Sequence, residues 1–329
     1  MTRLRCARAH SVARRALRER AATLRRNVRA AAAHDVEGIH DLRVASRRLR
    51  AVLADHAPYY RKRALKPFRK QVRSITRGLG TARELDVTVH LLRDWRKRLP
   101  KSSHPAITAV LRRLRMLRET ESGAVDASCG LARSPQFRAA YDALIENMKP
   151  PKRCYLAEVI KTIKKRYADL AMAYTAWQDN ASDEHLHAVR IAFKKLRYSC
   201  EICQPVYGSS MAKFIAKLKK DQESLGAWND QRILRNHVVA SAAELPSHAK
   251  SLGILIARID GQTARLLSKF TKTVKRWPLH ESPEAALQSL GTPARSCCEG
   301  RRNAASKLVL TKNALKKRDR KKSIQTGRE

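Results

Sequence analysis

An internal repeat constrains the fold of this chain more than any other feature of its sequence. Residues 37–60 read EGIHDLRVASRRLRAVLADHAPYY, and residues 184–207 read EHLHAVRIAFKKLRYSCEICQPVY. The segments align without a gap at an offset of 147 residues, and eight of 24 positions are identical. This period predicts two homologous halves, about 1–150 and 151–292, that pack about a pseudo-twofold axis. The identical pairs are Glu37/Glu184, His40/His187, Arg43/Arg190, Ala45/Ala192, Leu49/Leu196, Arg50/Arg197, Pro58/Pro205 and Tyr60/Tyr207.

The residues that start and end helices repeat as well. Asp35 and Ser182 stand at equivalent places, and both are favoured helix N-caps. Pro58 and Pro205 are predicted to end the two repeated helices. With the offset shortened by one residue, residues 68–80 align with residues 214–226, and both segments end in Leu-Gly.

Apolar residues recur with helical spacing, and no convincing stretch alternates as a strand does. We therefore predict an all-α protein in which long antiparallel helices form a bundle in each half. The predicted helices span about 4–33, 36–56, 62–80, 83–98, 104–121 and 135–148, then 152–178, 183–203, 209–226, 228–242, 247–274 and 283–290.

Each repeated segment carries two stripes, one apolar and one basic. Leu186, Val189, Phe193, Leu196, Cys200 and Cys203 share one helix face, as do Leu42, Leu49 and Leu53 in the first copy. The basic stripes lie about 100° round the helix from the apolar ones. No acid falls within either stripe, so we expect the cations to face a partner outside the helix. The stripes consist of His40, Arg43, Arg47 and Arg50, and of His187, Arg190, Lys194 and Arg197.

The charge of the whole chain indicates a polyanionic partner. It holds 70 Lys and Arg against 29 Asp and Glu, a formal net charge of +41, which is self-repulsive in a compact protein. Hydrophobic residues make up 43% of the chain, so a folded core rather than a disordered basic tail is expected. Aromatic residues make up only 5%, few for stacking on single-stranded nucleic acid. Two basic stripes facing each other across a twofold axis would form a cleft that a phosphate chain could enter.

The repeated pattern resembles the conserved histidine α-helical domain family, abbreviated CHAD. It occurs as His40-Asp-Leu-Arg43-Val-Ala-Ser-Arg47-Arg48-Leu-Arg50 and as His187-Ala-Val-Arg190-Ile-Ala-Phe-Lys194-Lys195-Leu-Arg197-Tyr198. Leu79-Gly80-Thr-Ala-Arg83-Glu84-Leu-Asp86-Val87 is similar to a second motif of the family, with Glu84 in place of its usual Asp, and Leu225-Gly226-Ala-Trp-Asn229-Asp230 is also family-like. The resemblance covers about residues 5–290.

The resemblance implies two helical bundles around a basic cleft that binds inorganic polyphosphate, often in association with polyphosphate granules. It assigns residues 1–292 to the domain and leaves no room before it for the CYTH triphosphatase domain that some members carry. Together with the stripes and their neighbours, it predicts a non-catalytic site without metal or cofactor. The predicted polyphosphate-binding residues are His40, Arg43, Arg47, Arg48, Arg50, Arg73, Arg77, Arg83, His187, Arg190, Lys194, Lys195, Arg197, Tyr198, Lys219 and Lys220.

Several alternatives stay open at this point. A nucleic-acid-binding basic protein is the second hypothesis, because any duplex attracts such a surface, and weaker, non-specific nucleic-acid binding is also compatible with the first. A phosphohydrolase that uses the histidines is the third, although the few acids near the stripes argue against metal-assisted catalysis. For His40 and His187 themselves, phosphate donation or a structural hydrogen bond is favoured over metal ligation. Cys200 and Cys203 have redox or zinc spacing but lie on an apolar face, which favours the core.

The two ends of the chain and its cysteines bear on where the protein resides. Residues 1–34 hold ten Arg and one acid, a composition shared by transit peptides and by an ordinary first helix, and the repeat favours the helix. Residues 293–329 are predicted to be a flexible basic tail, either an electrostatic arm or a solvated terminus. Seven irregularly spaced cysteines and no membrane-length apolar run favour the cytoplasm, with polyphosphate granules as the expected location.

Overall fold

The computed structural model describes residues 2–149, 155–207, 209–275, 277 and 279, with side chains described from residue 11 except in 155–156 and 205–207. This part of the chain is helical and contains no β-strand, which confirms the all-α prediction. Its α-helices are α1 (Thr2–Ala32), α2 (Val36–Asp55), α3 (Lys62–Gly78), α4 (Gly80–Arg98), α5 (His104–Thr120), α6 (Ser122–Arg133), α7 (Pro135–Glu146), α8 (Tyr155–Asp179), α9 (Asp183–Tyr207), α10 (Ser209–Glu244) and α11 (Ala249–Val274).

The predicted N-caps start the two repeated helices. Asp35 Oδ2 accepts a hydrogen bond of 2.6 Å from the backbone N–H of Gly38 at the start of α2. Ser182 Oγ accepts one of 3.2 Å from the N–H of His185 at the start of α9. The far ends differ, since α2 stops at Asp55 whereas α9 continues to Tyr207, past its predicted end. Pro205 therefore does not end the second helix, although it lacks the N–H for one helical hydrogen bond.

Helix α6 occupies a stretch that the sequence predicts to be a connection. Its glycines and serines weaken the helical pattern, yet Val125, Cys129 and Ala132 are buried on one face. A Cβ added to Gly78 of α3 would overlap Ser128 Oγ of α6, so the two helices approach closely because position 78 lacks a side chain. Small residues thus form this helix contact, which a search for large apolar residues does not detect.

Helix α10 runs unbroken through the point where a break is predicted at Gly226. Leu225 and Trp228, on either side of that glycine, are buried in the core. A glycine inside a helix costs only about 1 kcal/mol, which the burial of such neighbours exceeds. In the first half the equivalent Leu-Gly does mark a break, because α3 ends at Gly78 and α4 begins at Gly80.

Three clusters of buried residues hold the helices together, where the sequence predicts one bundle in each half. The first-half core joins α1, α2, α3, α6 and α7, and the second-half core joins α8, α9, the start of α10 and the end of α11. The shared core takes α4 and α5 from the first half and the end of α10 and start of α11 from the second. Its buried residues include Leu92, Trp95, Val110, Leu234, Val238 and Leu255.

The halves also meet where α2 contacts α9, with the apolar faces of both helices turned inward. Leu42, Leu49 and Leu53 are fully buried in the first-half core, and Cys200 and Cys203 lie buried in the second-half core as predicted. The basic stripes are thereby left between the halves. The pairing of α1 with α2 recurs as α8 with α9, and that of α4 with α5 as α10 with α11, while the pseudo-twofold axis itself stays a prediction.

The chain ends bear on two remaining predictions. Helix α1 contributes Leu17, Leu24 and Val28 to the first-half core, so it is an integral helix of the fold. The predicted helix at 283–290 and the basic tail at 293–329 lie outside the described residues. No helix within the described ranges carries an apolar stretch long enough to cross a membrane.

Candidate polyanion-binding cleft

A cavity of about 1150 Å³ opens where α2, α3 and α9 meet. Among the described residues that line it, thirteen are Lys or Arg and one, Asp55, is an acid. Such an excess of one charge in a confined space attracts a polyanion strongly. The basic lining residues are Arg43, Arg47, Arg50, Lys62, Lys66, Arg69, Lys70, Arg73, Lys149, Arg166, Arg190, Lys194 and Lys195.

The cavity brings together nine of the sixteen residues that the sequence predicts to bind polyphosphate. They come from both repeated helices and from α3, and they are Arg43, Arg47, Arg50, Arg73, His187, Arg190, Lys194, Lys195 and Tyr198. The other seven do not line it, and they are His40, Arg48, Arg77, Arg83, Arg197, Lys219 and Lys220.

The basic row of α2, defined as Arg43, Arg47 and Arg50, faces the cleft along the helix. Its members follow the apolar face by one residue, so burying Leu42 and Leu49 in the core turns the arginines toward α9. Arg43 and Arg47 are half-buried and Arg50 is exposed. Burial, followed by the neighbouring charge of Arg47, lowers the pKa of Arg43.

The basic row of α9, defined as His187, Arg190 and Lys194, lies deeper. Lys194 is only 8% exposed, and no ion pair joins it to a described carboxylate. Burial, with the charges of Arg190 and Arg47 adding to it, lowers the pKa of Lys194 to about 6. Burial is also the main cause that lowers the pKa of Arg190 to about 10. Burial and mutual repulsion therefore make the charged forms of Arg190 and Lys194 less favourable, and a bound anion would stabilise them.

Tyr198 connects the two rows. Its buried ring has the guanidinium of Arg197 5.0 Å from its centroid and that of Arg47, from the other half, at 5.9 Å. Both distances allow cation–π attraction. The tyrosine therefore holds an α2 arginine close to α9.

The two repeated histidines occupy different surroundings. His187 lines the cavity, and its Nδ1 donates a 3.2 Å hydrogen bond to Oδ1 of Asn229 on α10. His40 lies outside the cavity, and burial, followed by the charge of Arg83, lowers its pKa. Arg83 and Asn229 occupy equivalent positions after the Leu-Gly of each half, so each histidine sits by the same point of the following segment.

Arg48 and Arg197 both pair with Glu201, an acid that lies beyond the end of the α9 stripe. Glu201 follows Arg197 by one helical turn, so it extends the α9 stripe, and it pairs with Arg197 at 3.6 Å. The same carboxylate pairs with Arg48 of α2 at 3.4 Å. The expectation that no acid relieves the stripes is therefore wrong at this end, where Glu201 joins the halves by an ion-pair network.

The remaining predicted cations lie on surfaces around the cleft. Arg77 is exposed on α3; burial is the main cause that lowers the pKa of Arg50, and the charge of Arg77 adds a smaller part. Arg83 of α4 lies 4.0 Å from the exposed Glu37. Lys219 and Lys220 are exposed on α10, where Lys219 is 3.9 Å from Glu223.

The floor of the cavity holds a buried polar group that the sequence does not predict. Asp55, at the end of α2, accepts hydrogen bonds of 2.8 Å from Arg166 of α8 and 2.6 Å from Ser199 of α9. Burial raises the pKa of Asp55, while these two hydrogen bonds oppose that shift. Asp55 aligns with Ile202, so the repeat carries no signal for it. The single acid of the cavity is thus already bound by groups of the second half.

Helix α3 supplies a basic row that sequence reasoning mostly misses. Lys62, Lys66, Arg69 and Arg73 follow one another at helical spacing and all line the cavity. The spacing is visible in the sequence, but it is not fully repeated, since Ile215 aligns with Arg69. The predicted residues include Arg73 of this row but not Lys62, Lys66 or Arg69.

The described residues contain no group of three or more His, Cys, Asp or Glu side chains arranged to hold a metal ion. His187 and Asp55 are the lining residues of those types, and each is hydrogen-bonded to a protein side chain.

Comparisons with known proteins agree with this architecture. Residues 15–239 match the sequence model of the CHAD domain. The fold is similar to the crystal structure of the CHAD domain from the plant Ricinus communis, with a TM-score of 0.62 and 20% identity over 82% of this chain and 91% of that one. It is also similar to PptA from Streptomyces chartreusis, with a TM-score of 0.66 and 18% identity over 81% of this chain and 99% of that one. A search of curated protein sequences found no match.

Proposed function

This chain belongs to the CHAD domain family, and on that premise we propose that it binds inorganic polyphosphate, without catalysis, in the cleft between α2, α3 and α9. The observation that carries the proposal is the lining of the cavity, with thirteen cations against one acid. That acid, Asp55, is paired with Arg166. The other twelve cations form no ion pair with any carboxylate in the described part of the chain, so they are available to an anion.

The shape of the basic surface suits a linear ligand. The α2 row extends over eight residues, about 10 Å at the helical rise of 1.5 Å per residue, and the α9 row runs beside it. Arginines can each donate two hydrogen bonds to one phosphate, and lysines add charge between them. A chain of phosphates lying along the cleft would contact both rows and the α3 row together.

The cleft is poorly suited to nucleobases. Its two tyrosines, Tyr60 and Tyr198, are 1% and 8% exposed, so neither presents a free ring face for stacking. Sequence-tolerant binding of single strands depends on such stacking. A polyanion without bases therefore fits the cleft better than a single-stranded nucleic acid. Duplex DNA remains a competing ligand, because its phosphates bind any strongly basic surface.

A binding role suits this lining better than a catalytic one. Enzymes that act on phosphate chains commonly use carboxylates to hold metal ions. The one carboxylate of this cleft is buried and hydrogen-bonded to Arg166 and Ser199. We place the protein in the cytoplasm, on polyphosphate granules, where a fluorescent fusion should concentrate; a uniform signal in cells that contain granules would contradict this.

A competition experiment tests the proposed ligand. Long-chain polyphosphate and duplex DNA, matched in phosphate concentration, compete for the protein at physiological salt and again at higher salt. We expect polyphosphate to win at both, with affinity that falls steeply as salt rises because many phosphate contacts release counterions. If DNA binds as tightly as polyphosphate, the cleft is a general polyanion site and the proposal is wrong.

A charge-matched variant separates the cleft from the overall charge. Arg258, Arg265 and Lys269 are exposed on α11 and do not line the cavity, so replacing all three by Ala removes as much charge as a cleft triple variant. We expect this control to keep nearly native affinity for polyphosphate. Equal losses in the control and in a cleft variant would show that net charge alone drives binding.

A further inference from the structure

We propose that Lys194 is the residue through which the cleft responds to the charge density of its ligand, because it takes up a proton when a phosphate chain fills the cleft. The inference rests on the proposed function and names the group that gives it selectivity among polyanions.

The position of Lys194 is unlike that of the other cleft lysines. Lys62, Lys66, Lys70 and Lys195 are exposed and Lys149 is half-buried, whereas Lys194 is 8% exposed and forms part of the inner wall of the cavity. The one acid that lines the cavity, Asp55, is already held by Arg166 and Ser199.

The charged groups that act on Lys194 come from three helices. Arg190 precedes it by one turn on α9, Arg43 and Arg47 face it from α2, and Asp230 acts from α10. Three guanidinium groups therefore oppose a charge on Lys194 and one carboxylate favours it. Burial is the largest cause that brings the pKa of Lys194 to about 6. In most molecules of the free protein, Lys194 is therefore a neutral amine near pH 7.5.

The repeat shows why the residue type matters. Lys194 aligns with Arg47, so the same point of the two rows carries a lysine on one side and an arginine on the other. An arginine keeps its proton in proteins, whereas a buried lysine loses it readily. Of these two residues, Lys194 is therefore the one whose protonation can change when a ligand binds in the cleft.

A bound anion reverses the electrostatic balance at this point. Phosphates that pack against Arg190, Arg47 and Lys194 replace repulsion by attraction and raise the pKa of the amine. Polyphosphate carries a charge on every phosphate with no sugar between them, whereas each strand of DNA carries one charge per roughly 3.4 Å of helix axis. The denser anion places more negative charge beside Lys194 and raises its pKa further. A larger fraction of this amine therefore takes up a proton from the solvent.

The direction of the pH dependence follows from these shifts. The pKa of Lys194 is lower in the free protein than in the complex, so binding takes up a proton between the two values. Affinity should be greatest below pH 6 and should fall as pH rises, by up to about tenfold per pH unit, until the pKa of the complex is reached.

The test measures the affinity of long-chain polyphosphate at pH 6.5, 7.5 and 8.5, together with proton uptake by calorimetry in buffers of different ionisation enthalpy. All variants carry His187→Asn, because His187 also titrates in the cleft. We expect the parent to weaken about tenfold per pH unit and Lys194→Arg to bind more tightly at pH 7.5 with a nearly flat profile. Lys269→Arg, on the exposed face of α11, should follow the parent. A Lys194→Arg variant that keeps the parent's pH profile would overturn the inference.

A second ligand tests the response to charge density. Oligodeoxythymidylate of matched phosphate content should take up less proton than polyphosphate and should gain more affinity from Lys194→Arg at pH 7.5. Equal proton uptake with the two ligands would contradict the selectivity that we assign to Lys194.

Competitive acetylation of the free, native chain needs no variant and no ligand. Acetic anhydride is applied across a pH series, and mass spectrometry compares Lys194 with Lys269. Since the pKa of Lys194 is about 6, we expect it to become reactive well below the pH range in which lysine side chains ordinarily do. If the two lysines titrate together, the inference is wrong whether or not polyphosphate binds. If polyphosphate does not bind at all, the proposed function fails, and the inference with it.

Discussion

The α2 row and the α9 row have almost the same sequence but different surroundings. In the α2 row, Arg43 and Arg47 are half-buried and Arg50 is exposed at the mouth of the cleft. In the α9 row, Lys194 is buried. Arg197, which follows that row and is equivalent to Arg50, does not line the cavity and is paired with Glu201. The arginines of the α2 row are therefore charged and, within the described part of the chain, unpaired with any carboxylate. On α9, Lys194 must first take up a proton, and an anion must compete with Glu201 for Arg197.

The two halves also differ in what they place beside the rows. Helix α3 adds Lys62, Lys66, Arg69 and Lys70, whereas the equivalent part of α10 lines none of the cavity. The cleft therefore lies toward the first half rather than evenly on a symmetry axis. The two copies of the repeat therefore contribute unequally to the lining of the cavity.

The largest expected effect is the loss of the α2 row. Replacing Arg43, Arg47 and Arg50 by Ala should weaken binding of long-chain polyphosphate on the order of 1000-fold, since a hydrogen bond to a charged group contributes about 1.5 kcal/mol or more. Replacing Arg190, Lys194 and Arg197 should weaken it less, about 30- to 100-fold at pH 7.5, because Lys194 is mostly neutral and Arg197 is paired. Calorimetry measures both.

Chain length sharpens this comparison. A very short chain cannot contact both rows, so it should bind weakly to the native protein and lose less when one row is removed. Circular dichroism checks that each variant is folded. If both triple variants stay folded and bind long chains as tightly as the native protein does, the two-row cleft is wrong.

The next effect concerns stability and the floor of the cavity. Arg166→Ala leaves Asp55 buried with only Ser199 as its partner, which should lower the free energy of unfolding by about 3 kcal/mol at pH 7.5. Burial raises the pKa of Asp55, and losing Arg166 raises it further, so the loss should shrink as pH falls and the carboxylate is protonated. Urea unfolding at pH 7.5 and pH 5 measures this.

Asp169 provides the matched control for that variant. It lies 3.6 Å from the same Arg166 but is 31% exposed, so Asp169→Ala should change the unfolding free energy by less than about 1 kcal/mol. Equal effects of Arg166→Ala and Asp169→Ala would show that Asp55 does not depend on this ion pair.

A smaller effect distinguishes the two Leu-Gly motifs. Gly226 lies inside α10 and Gly80 at the first position of α4, and a Cβ at either would meet nothing within 4 Å. Gly226→Ala should therefore stabilise the protein by up to about 1 kcal/mol, and Gly80→Ala by only a few tenths. Thermal unfolding of both variants decides this, and a destabilised Gly226→Ala variant would mean that α10 is not continuous there.

The smallest effect is expected at Glu201. Glu201→Gln removes the acid that pairs with Arg48 and Arg197, so both cations gain freedom to turn toward a ligand. Affinity for polyphosphate should rise about two- to fivefold, the range of a partly exposed ion pair. A fall in affinity would show that Glu201 positions these arginines for the ligand instead.

Much of the fold follows from local patterns. The N-caps Asp35 and Ser182, the apolar faces of α2 and α9, and most helix positions are visible in the sequence because capping and helical spacing are local. The shared core is not visible in the sequence, because it depends on which face of α4 and which face of α10 contact the other half. Helix α6 was hidden because its contact with Gly78 is made by small residues.

The site divides in a similar way. The repeated cations Arg43, Arg47, Arg190 and Lys194 are found by the repeat, and the structure places them in one cavity. The depth of Lys194 and the pairing of Asp55 with Arg166 could not be predicted, because both depend on how the halves pack. Lys219 shows the converse, since it matches Arg73 in the repeat and yet does not line the cavity.

The unbroken α10 has a consequence for how the protein opens and exchanges its amide hydrogens. This helix is about 54 Å long, and it carries Leu218 and Trp228 in the second-half core and Val238 in the shared core. Partial unfolding of either core would expose part of the same helix, so the two cores should open as one cooperative unit with similar protection from hydrogen exchange.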